Sequence, residues 1–180
     1  MKLQAIINSF PNEYDSEVEK KLVNEILAFK ASSLNDELAD ILAFSISQKY
    51  NKLAIAILEK NYNGKKIELE SMNQALINQS AENYSLLHFT AQYGNKDMIL
   101  YFLRNGVKLS LDKDQLSPLH ALVFTKNLNK QDYIEVISEF KKADPEVIGQ
   151  RDAFFLTALH YAAQQDNSAA LEALIDSGAS

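Results

Sequence analysis

The chain has no cysteine and no tryptophan, and only three histidines, three prolines and five glycines in 180 residues. Without cysteine there is no disulfide framework, no thiolate nucleophile and no Cys-containing zinc site. Three histidines leave few ways to build a His-rich metal centre or a general base. So few glycines argue against an all-β sandwich or a glycine-rich phosphate loop, both of which need positive-φ turns. Long apolar runs are missing too. The longest clean one, Leu53 to Leu58, falls far short of the ~18 residues of a membrane span, so no membrane insertion is expected. Met1 to Ile7 lacks a sustained apolar core and a small-residue cleavage site, against a secretory signal peptide. Positive charge is scarce: 24 acidic residues against 18 basic leave a net charge of −6, which opposes nucleic-acid binding. What remains is ordinary globular composition, 47% hydrophobic and 23% charged, rich in Leu, Ala, Lys and Glu. These residues favour helices, and the length suits one good-sized domain. The expectation is a helical, cytoplasmic protein.

An internal repeat is present. All three histidines sit in one setting: Ser85-Leu86-Leu87-His88, Ser117-Pro118-Leu119-His120 and Thr157-Ala158-Leu159-His160, spaced by 32 residues and then 40. A shift of 72 carries His88 to His160, Ala91 to Ala163, Asn95 to Asn167, Phe102 to Leu174 and Gly106 to Gly178 without a gap. Each unit reads as a helix pair. Ser85, Ser117 and Thr157 suit N-caps, and Pro118 suits a first helical position. A short helix then runs to about Tyr93, Thr125 or Gln165. Met98, Ile99, Phe102 and Leu103, and again Ala170, Leu171, Leu174 and Ile175, form the buried stripe of a second helix. Gly106 and Gly178 close it with a left-handed residue.

This pattern resembles the ankyrin repeat, whose units of about 33 residues carry a Thr-Pro-Leu-His-x-Ala-Ala motif. The resemblance covers residues 80–180 and implies an all-α solenoid of stacked helix pairs, with short β-hairpin fingers and a concave surface that binds another protein. It divides the array into 80–111, 112–151 and 152–180. The middle unit departs from the pattern, with about three extra residues near Lys126 to Asn129 and about five more in the finger from Lys141 to Phe155. The glycine of the finger turn is replaced by Asn83, Gln115 and Phe155. Phenylalanine tolerates positive φ poorly, so a reshaped last turn is expected.

Residues 1–79 read as a helical N-terminal cap. Ser16 to Glu19 forms a capping box, with Leu22, Val23, Ile26 and Leu27 as a helix face up to about Lys30. Leu38, Ile41, Leu42 and Ile46 mark a second helix, and Leu53, Ala54, Ile57 and Leu58 a third. Residues 36–67 read as a degenerate unit of the same kind. Asn63-Gly64 signals a turn, Lys65 to Glu70 a short finger strand, and Ser71 to Ile77 a bridging helix.

The resemblance implies that each motif histidine bonds to neighbouring loop backbone. One histidine per unit also spreads them about 10 Å apart, the packing distance of helices, too far to share a metal. No serine has a separate His and Asp to activate it. The acidic pairs Glu17/Glu19 and Glu68/Glu70 read as a solvated face or cap. No catalytic residue, cofactor or metal is expected. Partner binding falls to finger tips and the outer side of each first helix. These are Ala81, Glu82, Tyr84, Gln92 and Tyr93; then Lys113, Asp114, Leu116, Phe124 and Thr125; then Arg151, Ala153, Phe154, Phe155, Leu156, Gln164 and Gln165. Phe154 and Phe155 read either as binding anchors or as local core under an enlarged loop. The small residues Ala169, Ala170 and Ala173 show no polar capping change, so the array is expected to continue past Ser180.

The leading expectation is a monomeric protein-recognition module. The alternative is the targeting region of a larger enzyme. Only Arg104 and Arg151 are arginine, and the Lys, Asn and Ile bias of an AT-rich genome, joined to this architecture, resembles effectors that intracellular bacteria deliver into host cells.

Overall fold

A computed structural model describes residues 14–28, 36–60, 66–79 and 81–180. The chain divides into two compact units, residues 1–68 and 69–180. This division differs from the boundary expected after residue 79.

In the first unit, α1 (Ser16–Ala28) and α2 (Asp36–Ser47) both pack on α3 (Asn51–Glu59). Leu22, Ile26, Ile41, Leu42, Ile46, Leu53, Ile57 and Leu58 are buried between them. Leu27, expected on the buried face, is 55% exposed. The cap of α1 is Asp15, whose carboxylate accepts from the N–H groups of Glu17 (2.8 Å) and Val18 (3.2 Å). The capping box expected at Ser16 to Glu19 is absent because Glu19 is used elsewhere. It is buried and accepts from Lys52 N–H (2.8 Å) and Leu53 N–H (3.3 Å), the unpaired first-turn donors of α3. Asn63-Gly64 lies outside the described residues, as does the end of the expected helix near Lys30. Where a strand was expected up to Glu70, residues 66–68 are irregular and helix begins at Leu69.

The second unit opens with α4 (Leu69–Gln79), whose Asn73 side chain accepts from Leu86 N–H at 3.0 Å. Three helix pairs follow: α5 (Leu86–Gln92) with α6 (Lys96–Arg104), α7 (Pro118–Leu122) with α8 (Lys130–Ala143), and α9 (Ala158–Gln164) with α10 (Ser168–Asp176). First helices pack on first helices and second on second. Fully buried Phe102, Tyr133, Phe140 and Leu174 lie on the second helices. Burying each contributes about 1.5–3 kcal/mol. Lys96 joins α6 to Asp132 (2.7 Å) and Glu135 (3.2 Å) of α8, and Lys130 joins α8 to Glu172 (3.1 Å) and Asp176 (2.9 Å) of α10. Such part-exposed pairs set register more than stability.

The middle pair is redistributed relative to expectation. Helix α7 stops at Leu122, not Thr125, and the first three residues assigned to the enlarged finger, Lys141 to Ala143, instead extend α8. Asp144-Pro145 then ends the helix, since Pro disfavours helical conformation in the residue before it. A 3₁₀ turn, Pro145–Gly149, follows. No strand occurs among the described residues, so the expected β-hairpin fingers are turns instead. Among the described residues, no helix is long and apolar enough to cross a membrane.

Candidate functional site

Each finger must reverse the chain and enter a short helix within a few residues, which leaves backbone groups needing partners. Two aspartates meet this need identically. Asp112 Oδ1 accepts from the N–H groups of Asp114 (2.9 Å) and Leu116 (2.9 Å), and Asp152 Oδ1 from those of Phe154 (2.9 Å) and Leu156 (2.8 Å). The following residue closes the turn in left-handed conformation, at φ 63° for both Gln115 and Phe155, with Asn83 at 57° in the first finger. The expected reshaping at Phe155 therefore does not occur: the Asp152 bonds over-determine the turn and hold phenylalanine in it.

The motif histidines tie each finger to the unit before it. In His88, Nδ1 accepts from Ser85 N–H at 3.3 Å, so Nε2 carries the proton and donates to Leu116 carbonyl at 2.9 Å. His120 repeats this with Ser117 N–H (3.1 Å) and Leu156 carbonyl (3.2 Å). The sequence between them, including Pro118 at the first helical position, supplies the same N-cap geometry in both units. His160 accepts from Thr157 N–H at 3.2 Å, but its ring is exposed and its Nε2 has no partner among the described residues. Adjacent finger tips are also joined: Lys113 N–H donates to Glu82 carbonyl (3.0 Å), and Ala153 N–H to Asp114 carbonyl (2.9 Å). Lys113 and Glu82 form an ion pair through their side chains. Gly94, Gly106 and Gly178 all take positive φ; at Gly94 an added Cβ would fall 2.0 Å from Asn127 Oδ1.

A family model described as ankyrin repeats (3 copies) matches residues 87–180, more than half of the chain. The chain belongs to the ankyrin repeat family. No curated protein matches it.

On this ankyrin scaffold the residues expected to bind a partner fall into two groups. Tyr84, Lys113, Asp114, Leu116, Arg151, Phe154 and Phe155 lie in the fingers. Gln92, Tyr93, Phe124, Gln164 and Gln165 lie at the far ends of the first helices. Leu116, Asp114 and Gln165 are half-buried, and the others are exposed. Phe154 and Phe155 are 70% and 74% exposed, so they do not pack as local core.

Two half-buried aromatics outside the expected binding set also stand here, Phe89 and Tyr161, each directly after its histidine. Phe89 meets Tyr93 at 5.0 Å between ring centres, and Tyr161 meets Phe124 at 5.3 Å and His120 at 5.9 Å. Their place after the motif histidine was the available signal.

Tyr161 hydroxyl donates to Asp152 Oδ2 at 2.6 Å. Burial and that carboxylate push its pKa up to about 12, so it stays a neutral donor. Burial alone would raise the Asp152 carboxyl, but the bonds from Tyr161, Leu156 and Phe154 outweigh it and hold the group below its usual range. Among the described residues, no group of three or more His, Asp or Glu converges to hold a metal.

Burial lowers the pKa of His88 and His120, against the opposing effect of the carbonyls they donate to. Both are therefore neutral in the fold, while the unfolded chain takes up protons as pH falls through about 6.5. Their contribution to stability is complete above that value and is lost as pH drops toward the folded-state values. In an NMR titration, both rings should keep the Nε2–H neutral form below about pH 6.5. Protonation of either ring at or above that pH would contradict the assignment.

Proposed function

We propose that the chain is a protein-recognition module whose partner lies across the face built by the fingers and first helices, the concave side in ankyrin geometry. Ankyrin repeats are generally protein–protein interaction modules. The observation that carries the reading is the Phe154–Phe155 tip. Two large apolar side chains stand exposed on a finger held by two backbone-directed bonds of Asp152 and joined to the middle finger by Ala153 N–H on the Asp114 carbonyl. Phe155 pays about 1 kcal/mol for its left-handed conformation. Neither exposure nor backbone strain serves the fold. Rigid exposed aromatics are the side chains that anchor interfaces.

The test separates binding from folding. Phe155→Asn replaces an exposed aromatic with the residue that holds the same turn position at Asn83, and should raise stability by about 0.5–1 kcal/mol. Combined with Phe154→Ala, it should markedly reduce the proteins captured on the immobilised intact chain, quantified against the native bait. Unchanged capture would remove this finger from the binding surface, and a lowered melting temperature would show the pair to be structural.

A further inference from the structure

The finger face carries a charge that the fold does not consume. Its acidic residues are Glu82, Asp112, Asp114 and Asp152, against Lys113 and Arg151. Glu82 is paired with Lys113. Asp112 and Asp152 are buried and occupied in turn bonds. Arg151 is exposed, next to Asp152. Asp114 is different: its carboxylate is half-buried and has no bonding partner among the described residues. Its backbone is nonetheless fixed on both sides. The N–H donates to Asp112 Oδ1 (2.9 Å) and the carbonyl accepts from Ala153 N–H (2.9 Å). The carboxylate is therefore held at the middle finger, on the residue whose carbonyl is bonded to Ala153, next to the Phe154–Phe155 tip.

From this we infer that the face receives a peptide segment of a partner protein in which an arginine or lysine stands beside bulky apolar side chains. The cation lies on Asp114, and the apolar side chains lie against Phe124 and the Phe154–Phe155 tip. This rests on the recognition reading above and adds the chemistry of the partner. A cation gains here from a charge-assisted bond to the carboxylate. The net charge of −6 draws basic segments at long range. The same carboxylates oppose an anionic membrane surface, the other target an exposed phenylalanine pair could enter.

The experiment pans a random 12-residue peptide library displayed on phage against the intact chain, native and with Asp114→Lys. The native chain should select peptides enriched in Arg or Lys next to Phe, Leu or Trp. Fluorescence anisotropy of one selected peptide should show binding weakened about tenfold by Asp114→Asn, and weakened further by added salt. Asp114→Lys should turn the selection toward acidic peptides. Asp114 bonds only through its backbone, so both variants should melt with the native chain. Selected peptides lacking basic residues, or insensitive to Asp114→Asn, would overturn the cationic partner and leave protein recognition standing. Failure to select any peptide would also overturn it, the wider reading then resting on the capture experiment. Binding to anionic vesicles without peptide selection would assign the face to lipid and overturn it.

Discussion

His120→Ala is expected to destabilise the repeat unit by about 3 kcal/mol in urea unfolding. The ring is fully buried, so its removal leaves a cavity under the second unit. Both nitrogens are also engaged, with Ser117 N–H on one side and Leu156 carbonyl on the other. Alanine leaves those two backbone groups without partners, and a buried unsatisfied group costs about 1–3 kcal/mol. The loss should be felt first in the third finger, since Leu156 is its last residue before the Thr157 cap. Hydrogen exchange at Phe155 and Leu156 should therefore rise more than at Leu116. His160→Ala is the control. That ring is exposed and bonds only within its own cap, so its loss should cost under about 1 kcal/mol. Equal costs for the two variants would refute the view that the histidine acts by bridging units.

Asn167→Ala should cost as much or more, about 3–4 kcal/mol, for a different reason. Asn167 caps α10 by accepting from Ala170 N–H at 3.1 Å. Its amide also points back into the preceding unit, reaching Val123 carbonyl (2.9 Å), Thr125 carbonyl (2.7 Å) and Tyr133 hydroxyl (2.9 Å). The residue is buried, so these acceptors have no water to replace it. Asn167→Asp separates the two roles. It keeps the cap acceptor but turns a carboxylate toward two carbonyls, and should be no less harmful than alanine. Asn129 caps α8 from an exposed position, so Asn129→Ala should lose only about 1 kcal/mol. Urea midpoints for the three variants order them. A loss at Asn167 no greater than at Asn129 would mean that the contacts to the preceding unit contribute nothing.

These two residues mark how far the sequence could be read. The histidine motif was legible because its cap, its Nδ1 acceptor and the start of its short helix all lie within four residues. Asn167 was legible only as a match to Asn95 under the 72-residue shift. Its reach to Val123 and Thr125 crosses more than forty residues, and no local period records that. Glu19 failed for the same reason. A capping-box pattern describes one turn of one helix, whereas Glu19 serves the start of α3, over thirty residues away. Of the extra residues in the middle unit, those near Lys126 to Asn129 do lie between its helices, whereas those expected in the finger begin as helix. Periodicity counts an insertion without saying whether it lengthens a helix or a loop, and here Asp144-Pro145 places the stop after Ala143.

The candidate surface divides along the same line. Positions such as Tyr84, Tyr93, Phe124 and Phe154 follow from counting outward from each motif histidine, because a repeat gives every unit the same address system. Exposure does not follow from counting. Phe154 and Phe155 could have closed over a long loop, and only their surroundings in space leave them in solvent. Local chemistry, the caps, the period and the left-handed glycines, is enough to specify helix pairs and their order. Which polar groups are satisfied across units, and which aromatics and which carboxylate are left over, depends on packing between residues far apart in the chain. Asp112 and Asp114 stand two residues apart with the same side chain. One accepts two bonds within its own turn and the other is left without a side-chain bond among the described residues, and the cross-finger bond from Ala153 N–H to the Asp114 carbonyl is the part that local sequence does not record.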